Sequence, residues 1–185
     1  APDAEQEYNE KTYLMKVIQD DSLFSSKDKK YIKDHILAPT LPWYYNSEAV
    51  KGDNYWFYCH ILIQRIELGG GETSTHTKFF IDLFNKFCKK HNIKYSQIFR
   101  CCLNSNFPSK NKSLPHTDHN FDYNHLLIYL NDVKDGETVL LKDDKKTVTK
   151  IIKPKAFRAV SFSKCWHIGT SPRKDRRVVA VYTYK

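Results

Sequence analysis

Leu114-Pro-His116-Thr-Asp118-His-Asn120 is the stretch around which this chain is organised. Side chains two residues apart share a face of an extended segment, so His116 and Asp118 could bind one metal ion. Chance alone produces such pairs among eight histidines and 21 acidic residues, and a third ligand must come from elsewhere in the fold. His167, in Cys165-Trp-His-Ile-Gly169, is the candidate. Two imidazoles and one carboxylate on one side of a metal leave its other positions open.

The motifs that follow Asp118 come in a characteristic order. They are the strand-like run His125-Leu-Leu-Ile-Tyr129-Leu-Asn131, then Gly136-Glu-Thr, Lys153-Pro-Lys, His167, and Arg177-Val-Val-Ala-Val-Tyr-Thr-Tyr184. This order resembles the Fe(II)/2-oxoglutarate dioxygenase superfamily, and within it the prolyl 4-hydroxylase-like branch in the compact form encoded by bacteria and their phages. The resemblance covers roughly residues 95–184.

The resemblance implies a ligand set and its cosubstrates. His116, Asp118 and His167 would bind Fe(II), with Asp118 using one oxygen. Arg177, ten residues after His167, would hold the distal carboxylate of 2-oxoglutarate through a bidentate guanidinium, and the Tyr129 hydroxyl would assist it. Molecular oxygen would be the second cosubstrate, and ascorbate is a candidate reductant.

Several polar residues close to these motifs do not match the positions that the resemblance assigns to the site. Their matching residue types make them easy to confuse with the ligands. They are His119, Asp122 and His125 near the metal pair, and Arg173, Lys174 and Arg176 near Arg177.

Short strands separated by turns, without interleaved helices, indicate a mainly β (α+β) fold, a double-stranded β-helix or jelly roll. Two supporting helices are expected. A capping box at Ser25 and Asp28 begins the first, and the spacing of Phe80, Leu83, Phe84 and Phe87 predicts the central one. We expect one domain over residues 1–185, with residues 1–94 as supporting strands and helices and residues 95–185 as the jelly-roll core.

Composition indicates a folded protein without a membrane span: 41% of residues are hydrophobic, and no apolar run approaches 18 residues. Five cysteines without C-x-x-C spacing argue against a disulfide framework, and the start of the chain does not resemble a signal peptide. A cytoplasmic location is expected, in the host if the chain is phage-encoded. The net charge of +9 fits a solvated lysine-rich surface, although it could also attract nucleic acid.

The substrate is the least determined feature of the sequence. The aromatic cluster Trp43, Tyr44 and Tyr45 is a candidate wall of the substrate cleft, or else a plug of the core. The resemblance favours hydroxylation of a prolyl residue in a peptide or protein, with release of succinate and CO2. The alternatives are an AlkB-like nucleic-acid demethylase, an oxygenase acting on a free amino acid, and a non-catalytic jelly-roll binding protein. By the resemblance, Thr183 stands where many prolyl hydroxylases carry tryptophan and AlkB-like enzymes carry arginine, so it supports neither alternative.

Overall fold

The computed structural model describes residues 16–185, and within them the chain forms ten strands. Each strand is short and most are separated by turns, as the sequence predicts. The strands are β1 Ile18–Asp20, β2 Tyr44–Asn46, β3 Phe57–Ile63, β4 Ile98–Asn106, β5 Asn124–Tyr129, β6 Thr138–Leu141, β7 Val148–Ile152, β8 Ala159–Ser163, β9 Trp166–Gly169 and β10 Arg177–Tyr184.

The strands form two antiparallel sheets. The larger sheet has the order β1-β8-β5-β10-β4-β3-β2, and the smaller has the order β7-β6-β9. Isolated bridges from Lys112 to Thr170 and from His116 to His167 add the segment before Asp118 to the edge of the smaller sheet. Such a pair of sheets joined by crossing connections is a jelly roll, and the predicted fold class is confirmed.

The helices pack against the outer face of the larger sheet. Ser25 caps α1 (Ser26–Tyr31) through the predicted box, because its hydroxyl accepts from the Asp28 amide while the Asp28 carboxylate accepts from the Ser25 amide. One π-helical segment, Ile32–Ile36, continues α1. The central helix α2 spans Thr77–Lys90 and buries the predicted aromatic stripe in the main core. A 3₁₀ turn covers Ile66–Leu68.

Strand β10 lies between β4 and β5 and separates two environments. Side chains alternate along a strand, so Val178, Ala180 and Tyr182 join the core beneath the helices. Arg177, Val179 and Val181 face the space between the two sheets.

The larger sheet contains strands from both halves of the chain, since β1, β2 and β3 precede residue 94 and the other four strands follow it. The single-domain organisation over residues 1–185 stays a prediction. None of the helices within residues 16–185 is both long and apolar enough to cross a bilayer.

Candidate active site

A cavity of about 410 Å³ opens between the two sheets. One wall comes from the inward-facing positions of β4, β5, β8 and β10, and the other from β9 and the segment before Asp118. Its polar lining is dominated by titratable groups. They are Tyr55, Arg65, Arg100, His116, Asp118, His125, His167 and Arg177.

Backbone pairing brings the three predicted metal ligands together. The His116 amide donates to the His167 carbonyl at 3.1 Å, and the His167 amide donates to the His116 carbonyl at 3.0 Å. This antiparallel pair places the two imidazoles side by side, with ring centroids 4.3 Å apart. Asp118 completes the group, and one ligand atom from each residue lies within 4.8 Å of the other two.

Both histidines are oriented by carbonyl groups near them in sequence. Nδ1 of His116 lies 2.9 Å from the Leu114 carbonyl, and Nδ1 of His167 lies 3.2 Å from the Cys165 carbonyl. Each Nδ1 therefore carries the proton, and Nε2 keeps its lone pair for a ligand. Burial, together with the neighbouring His116 and His125, lowers the pKa of His167 to about 3, so this imidazole is neutral and able to bind a metal at pH 7.

The Asp118 carboxylate is nearly buried and needs compensating partners. His125 Nε2 donates to Oδ2 at 3.1 Å, and Arg100 lies 3.5 Å from the same oxygen. Arg65 donates to the Asp118 backbone carbonyl at 2.7 Å. Burial would raise the pKa of Asp118, but His125 and Arg100 outweigh it, and the pKa lies well below the usual range.

The two oxygens of the Asp118 carboxylate have different environments. His125 and Arg100 both approach Oδ2, whereas Oδ1 accepts no hydrogen bond from residues 16–185. Asp118 can therefore offer Oδ1 to a metal while Oδ2 remains held by the protein.

Arg177 lies deep in the cavity, where it is 5% exposed. It donates to the Gly136 carbonyl at 2.6 Å and to the Asn106 side-chain oxygen at 2.9 Å. Its Nε is buried and has no partner among the described residues. Gly136, in the left-handed region at φ +83°, gives this side chain room, because a Cβ there would lie 3.3 Å from Arg177 Cδ.

Tyr129 lies in the core rather than on the cavity surface. Its hydroxyl is 2.9 Å from Thr138 Oγ1, and Thr138 lines the cavity. Burial raises the pKa of Tyr129, and the positive charge of Arg177 partly offsets that rise. A role for the Tyr129 hydroxyl toward a cosubstrate stays a prediction.

The aromatic cluster Trp43, Tyr44 and Tyr45, at the start of β2, lies outside the cavity. Trp43 packs beneath Arg176, whose guanidinium carbon lies 5.8 Å from the indole ring, and Tyr44 and Tyr45 are 64% and 61% exposed on an edge strand. None of the three lines the cavity. Only a substrate that extends from the cavity across β3 would reach them, and their assignment as substrate-binding residues stays a prediction.

Three polar residues near the metal pair do not match the ligand positions that the resemblance assigns, and they lie in two different environments. His119 is buried between Glu67 and Thr183, and Asp122 is exposed on another surface, so neither reaches the metal ligands. His125, by contrast, directly contacts Asp118.

Sequence reasoning did not single out the cavity arginines Arg65 and Arg100, nor Asn106 as the partner of Arg177. One signal was present, since Arg100 is a cation at an inward position of the otherwise apolar run 98–103.

Comparison with solved structures identifies the class of fold. An oxidoreductase of the 2OG-Fe(II) oxygenase family from Burkholderia pseudomallei matches with a TM-score of 0.72 and 17% identity, over 91% of this chain and 84% of that chain. A prolyl hydroxylase from Trichoplax adhaerens, in complex with a hypoxia inducible factor peptide fragment, matches with a TM-score of 0.61 and 14% identity, over 91% and 83%. A prolyl-4-hydroxylase from Pseudomonas putida matches with a TM-score of 0.57 and 12% identity, over 93% of both chains.

The chain therefore has the fold of the 2OG-Fe(II) oxygenases. Prolyl hydroxylases are among the proteins that share it, and the resemblance stated from the motifs is confirmed. No protein-family model and no curated protein matches the chain.

We expect His125→Phe to weaken binding of a divalent cation about 10-fold to 100-fold, because Asp118 loses the donor that holds Oδ2. His125→Gln keeps a donor at a similar position and should recover most of that loss. Titration calorimetry with Fe(II) or Co(II) measures both variants, with the exposed His35→Ala as control. Equal affinities for His125→Phe and the unmodified protein would show that His125 does not position Asp118.

Proposed function

We propose that the chain is an Fe(II)- and 2-oxoglutarate-dependent dioxygenase that hydroxylates a C–H bond of a prolyl residue in a peptide or protein and releases succinate and CO2. The observation that carries the proposal is the convergence of His116, Asp118 and His167 in a cavity that also contains a buried arginine. Molecular oxygen is the second cosubstrate, and ascorbate is a candidate reductant.

The three residues fit Fe(II) in both type and arrangement. Two neutral imidazole nitrogens and one carboxylate oxygen form the donor set of non-haem iron oxygenases, and three positions stay open on the metal. The Nδ1 contacts to carbonyl oxygens leave each Nε2 as the ligand atom. His125 and Arg100 at Oδ2 favour binding of Asp118 through Oδ1 alone.

Arg177 fits the distal carboxylate of 2-oxoglutarate. Two of its nitrogens already donate to protein oxygens, which fixes the plane of the guanidinium. Nε is a buried donor without a partner among the described residues, and such a group costs free energy until a ligand satisfies it. A carboxylate is the acceptor that a guanidinium matches best.

When bound, iron and 2-oxoglutarate would supply the oxidative chemistry, namely decarboxylation of the 2-oxo acid and transfer of one oxygen atom to a substrate C–H bond. The protein would bind and orient the iron, the 2-oxoglutarate and the substrate. Phe57, Leu127, Phe162, Val179 and Val181 form the apolar part of the cavity wall and exclude water from the reacting centre.

A peptide substrate is supported by the neighbours in fold, one of which was solved with a peptide bound. The nucleic-acid alternative rests on the positive net charge and on aromatic side chains able to stack on bases. Thr183, where many prolyl hydroxylases carry tryptophan and AlkB-like enzymes carry arginine, is completely buried and bonded to His119, so it favours neither substrate.

We expect His116→Ala, Asp118→Ala and His167→Ala each to abolish stoichiometric Fe(II) binding and succinate formation, since two ligands hold iron weakly in an open site. Metal analysis after gel filtration and a succinate assay measure the two properties. His35→Ala, which changes an exposed histidine, should retain both. Retention of one iron per chain by all three ligand variants would contradict the proposed metal site.

We expect Arg177→Ala to raise the 2-oxoglutarate concentration needed for half-maximal rate by roughly 10-fold to 100-fold, because a hydrogen bond to a charged group contributes about 1.5–3 kcal/mol. Affinity for iron should change much less. Arg173→Ala is the matched control, since Arg173 is an exposed cation paired with Asp135. Similar shifts in the two variants would show that Arg177 does not bind the cosubstrate.

We expect proline-containing peptides to stimulate succinate formation above the uncoupled rate and to gain one oxygen atom on proline, as measured by mass spectrometry. Methylated oligonucleotides and free proline should do neither. Demethylation of an oligonucleotide with peptides inert would establish the AlkB-like alternative, and absence of succinate with every substrate would support a non-catalytic binding protein.

A further inference from the structure

Two arginines of the cavity contact the ligand residue Asp118 but are not themselves assigned to 2-oxoglutarate or iron. Arg100, on β4, and Arg65, just after β3, both line the cavity on the side of Asp118. Their side chains are 13% and 30% exposed. Arg65 lies at the mouth of the cavity and Arg100 lies deeper.

The Arg100 guanidinium has unused hydrogen-bonding capacity. It contacts Asp118 Oδ2 at 3.5 Å, an ion-pair distance, and within residues 16–185 it makes no hydrogen bond to an oxygen or nitrogen acceptor. A guanidinium presents five N–H donors. Donors directed into a cavity without protein acceptors are available to a ligand.

Arg65 is held in position by the loop that follows it. Its carbonyl accepts from the amides of Leu68 and Gly70, and Gly69, Gly70 and Gly71 all have positive φ. The Gln64 amide donates to the Gly71 carbonyl and closes the loop onto β3. The glycine triplet thus forms a folded turn that directs the Arg65 guanidinium toward the backbone carbonyl of Asp118.

The charges of the loaded cavity do not balance. Fe(II) and the 2-oxoglutarate dianion cancel, and Asp118 cancels Arg177. Asp118 is the one acidic side chain among the described residues that line the cavity, and it faces three arginines, so two positive charges remain in excess. Arg100 and Arg65 share this carboxylate, at 3.5 Å from Oδ2 and 4.0 Å from Oδ1. Glu67 is bonded to His119 and lies outside the cavity. An excess of positive charge in a largely buried site is costly until an anion offsets it.

We propose that Arg100, assisted by Arg65, forms an anion subsite that selects peptides with an acidic side chain directly beside the oxidised residue. The inference rests on the proposed function and adds a substrate preference to it. The subsite lies next to the ligand Asp118, and successive Cα atoms are only about 3.8 Å apart. The carboxylate that reaches Arg100 therefore belongs to the residue next to the one that is oxidised.

The test compares matched fluorescent peptides that contain one proline flanked by Asp, Asn or Lys, on either side in separate peptides. Dissociation constants are measured by fluorescence anisotropy, without oxygen, on protein loaded with Fe(II) and 2-oxoglutarate. We expect the preferred Asp peptide to bind about 10-fold to 100-fold more tightly than its Asn counterpart and the Lys peptide most weakly. The preference should shrink at high salt.

Substitutions of Arg100 and Arg65 test whether these two arginines cause the preference for the Asp peptide. Arg100→Gln should bring the Asp-to-Asn ratio close to one, and Arg100→Lys should restore part of it. Because the ratio compares two peptides on one protein, a general loss of iron affinity cancels out of it. Arg65→Gln changes the more exposed arginine and should reduce the preference for the Asp peptide over the Asn peptide at least twofold. This variant tests the subsite if Arg100→Gln does not fold. Arg173→Gln should leave the ratio unchanged.

The other outcomes separate failure of this inference from failure of the proposed function. If the Asp and Asn peptides bind equally well and are hydroxylated equally, the anion subsite is wrong but the proposed function stands. A preference that survives Arg100→Gln and Arg65→Gln would place the subsite elsewhere. If no peptide binds or gains oxygen, the proposed function and the subsite both fail. If a methylated oligonucleotide displaces the Asp peptide and is turned over, the arginines bind phosphate instead.

Discussion

The burial of one carboxylate, Asp118, is the constraint on which the site depends. A carboxylate removed from water is stable only with charged or hydrogen-bonding partners, and here they come from distant parts of the chain. His125 and Arg100 approach Oδ2, and Arg65 contacts the backbone carbonyl. Because these partners lie on β4, β5 and the loop after β3, Asp118 is accommodated only where the larger sheet brings them together. The candidate metal site thus depends on the fold.

The features that sequence reasoning predicted are those encoded within a few residues. The capping box at Ser25, the aromatic stripe of α2 and the apolar alternation of β10 are all local patterns, and the structure has each of them. The contacts of Asp118 with Arg65 and Arg100 are not local, and they depend on the order of strands in the sheet. The exposure of Tyr44 and Tyr45 likewise follows from the edge position of β2, which no local pattern specifies.

The two histidine ligands are placed side by side by backbone pairing between two short segments. His116 lies outside every named strand, and its place beside His167 depends on a two-bond bridge, which contacts between Ser113 and Gly169 and the bridge from Lys112 to Thr170 continue. That bridge joins segments about 50 residues apart, so closing the loop between them costs conformational entropy, which the packing of β5 and β8 within the larger sheet offsets. The position of His116 beside His167 is therefore set by the strand pairing of the jelly roll.

The alternation along β10 also bears on how such a protein can change during evolution. Positions 179 and 181 shape the cavity, whereas positions 178, 180 and 182 pack beneath the helices. Val179 and Val181 also belong to the second core cluster, so a substitution there changes both what the cavity admits and how the two sheets pack. A mutation that adapts the cavity to a new substrate is therefore constrained by stability, whereas one at positions 178, 180 or 182 acts on stability without touching the cavity wall.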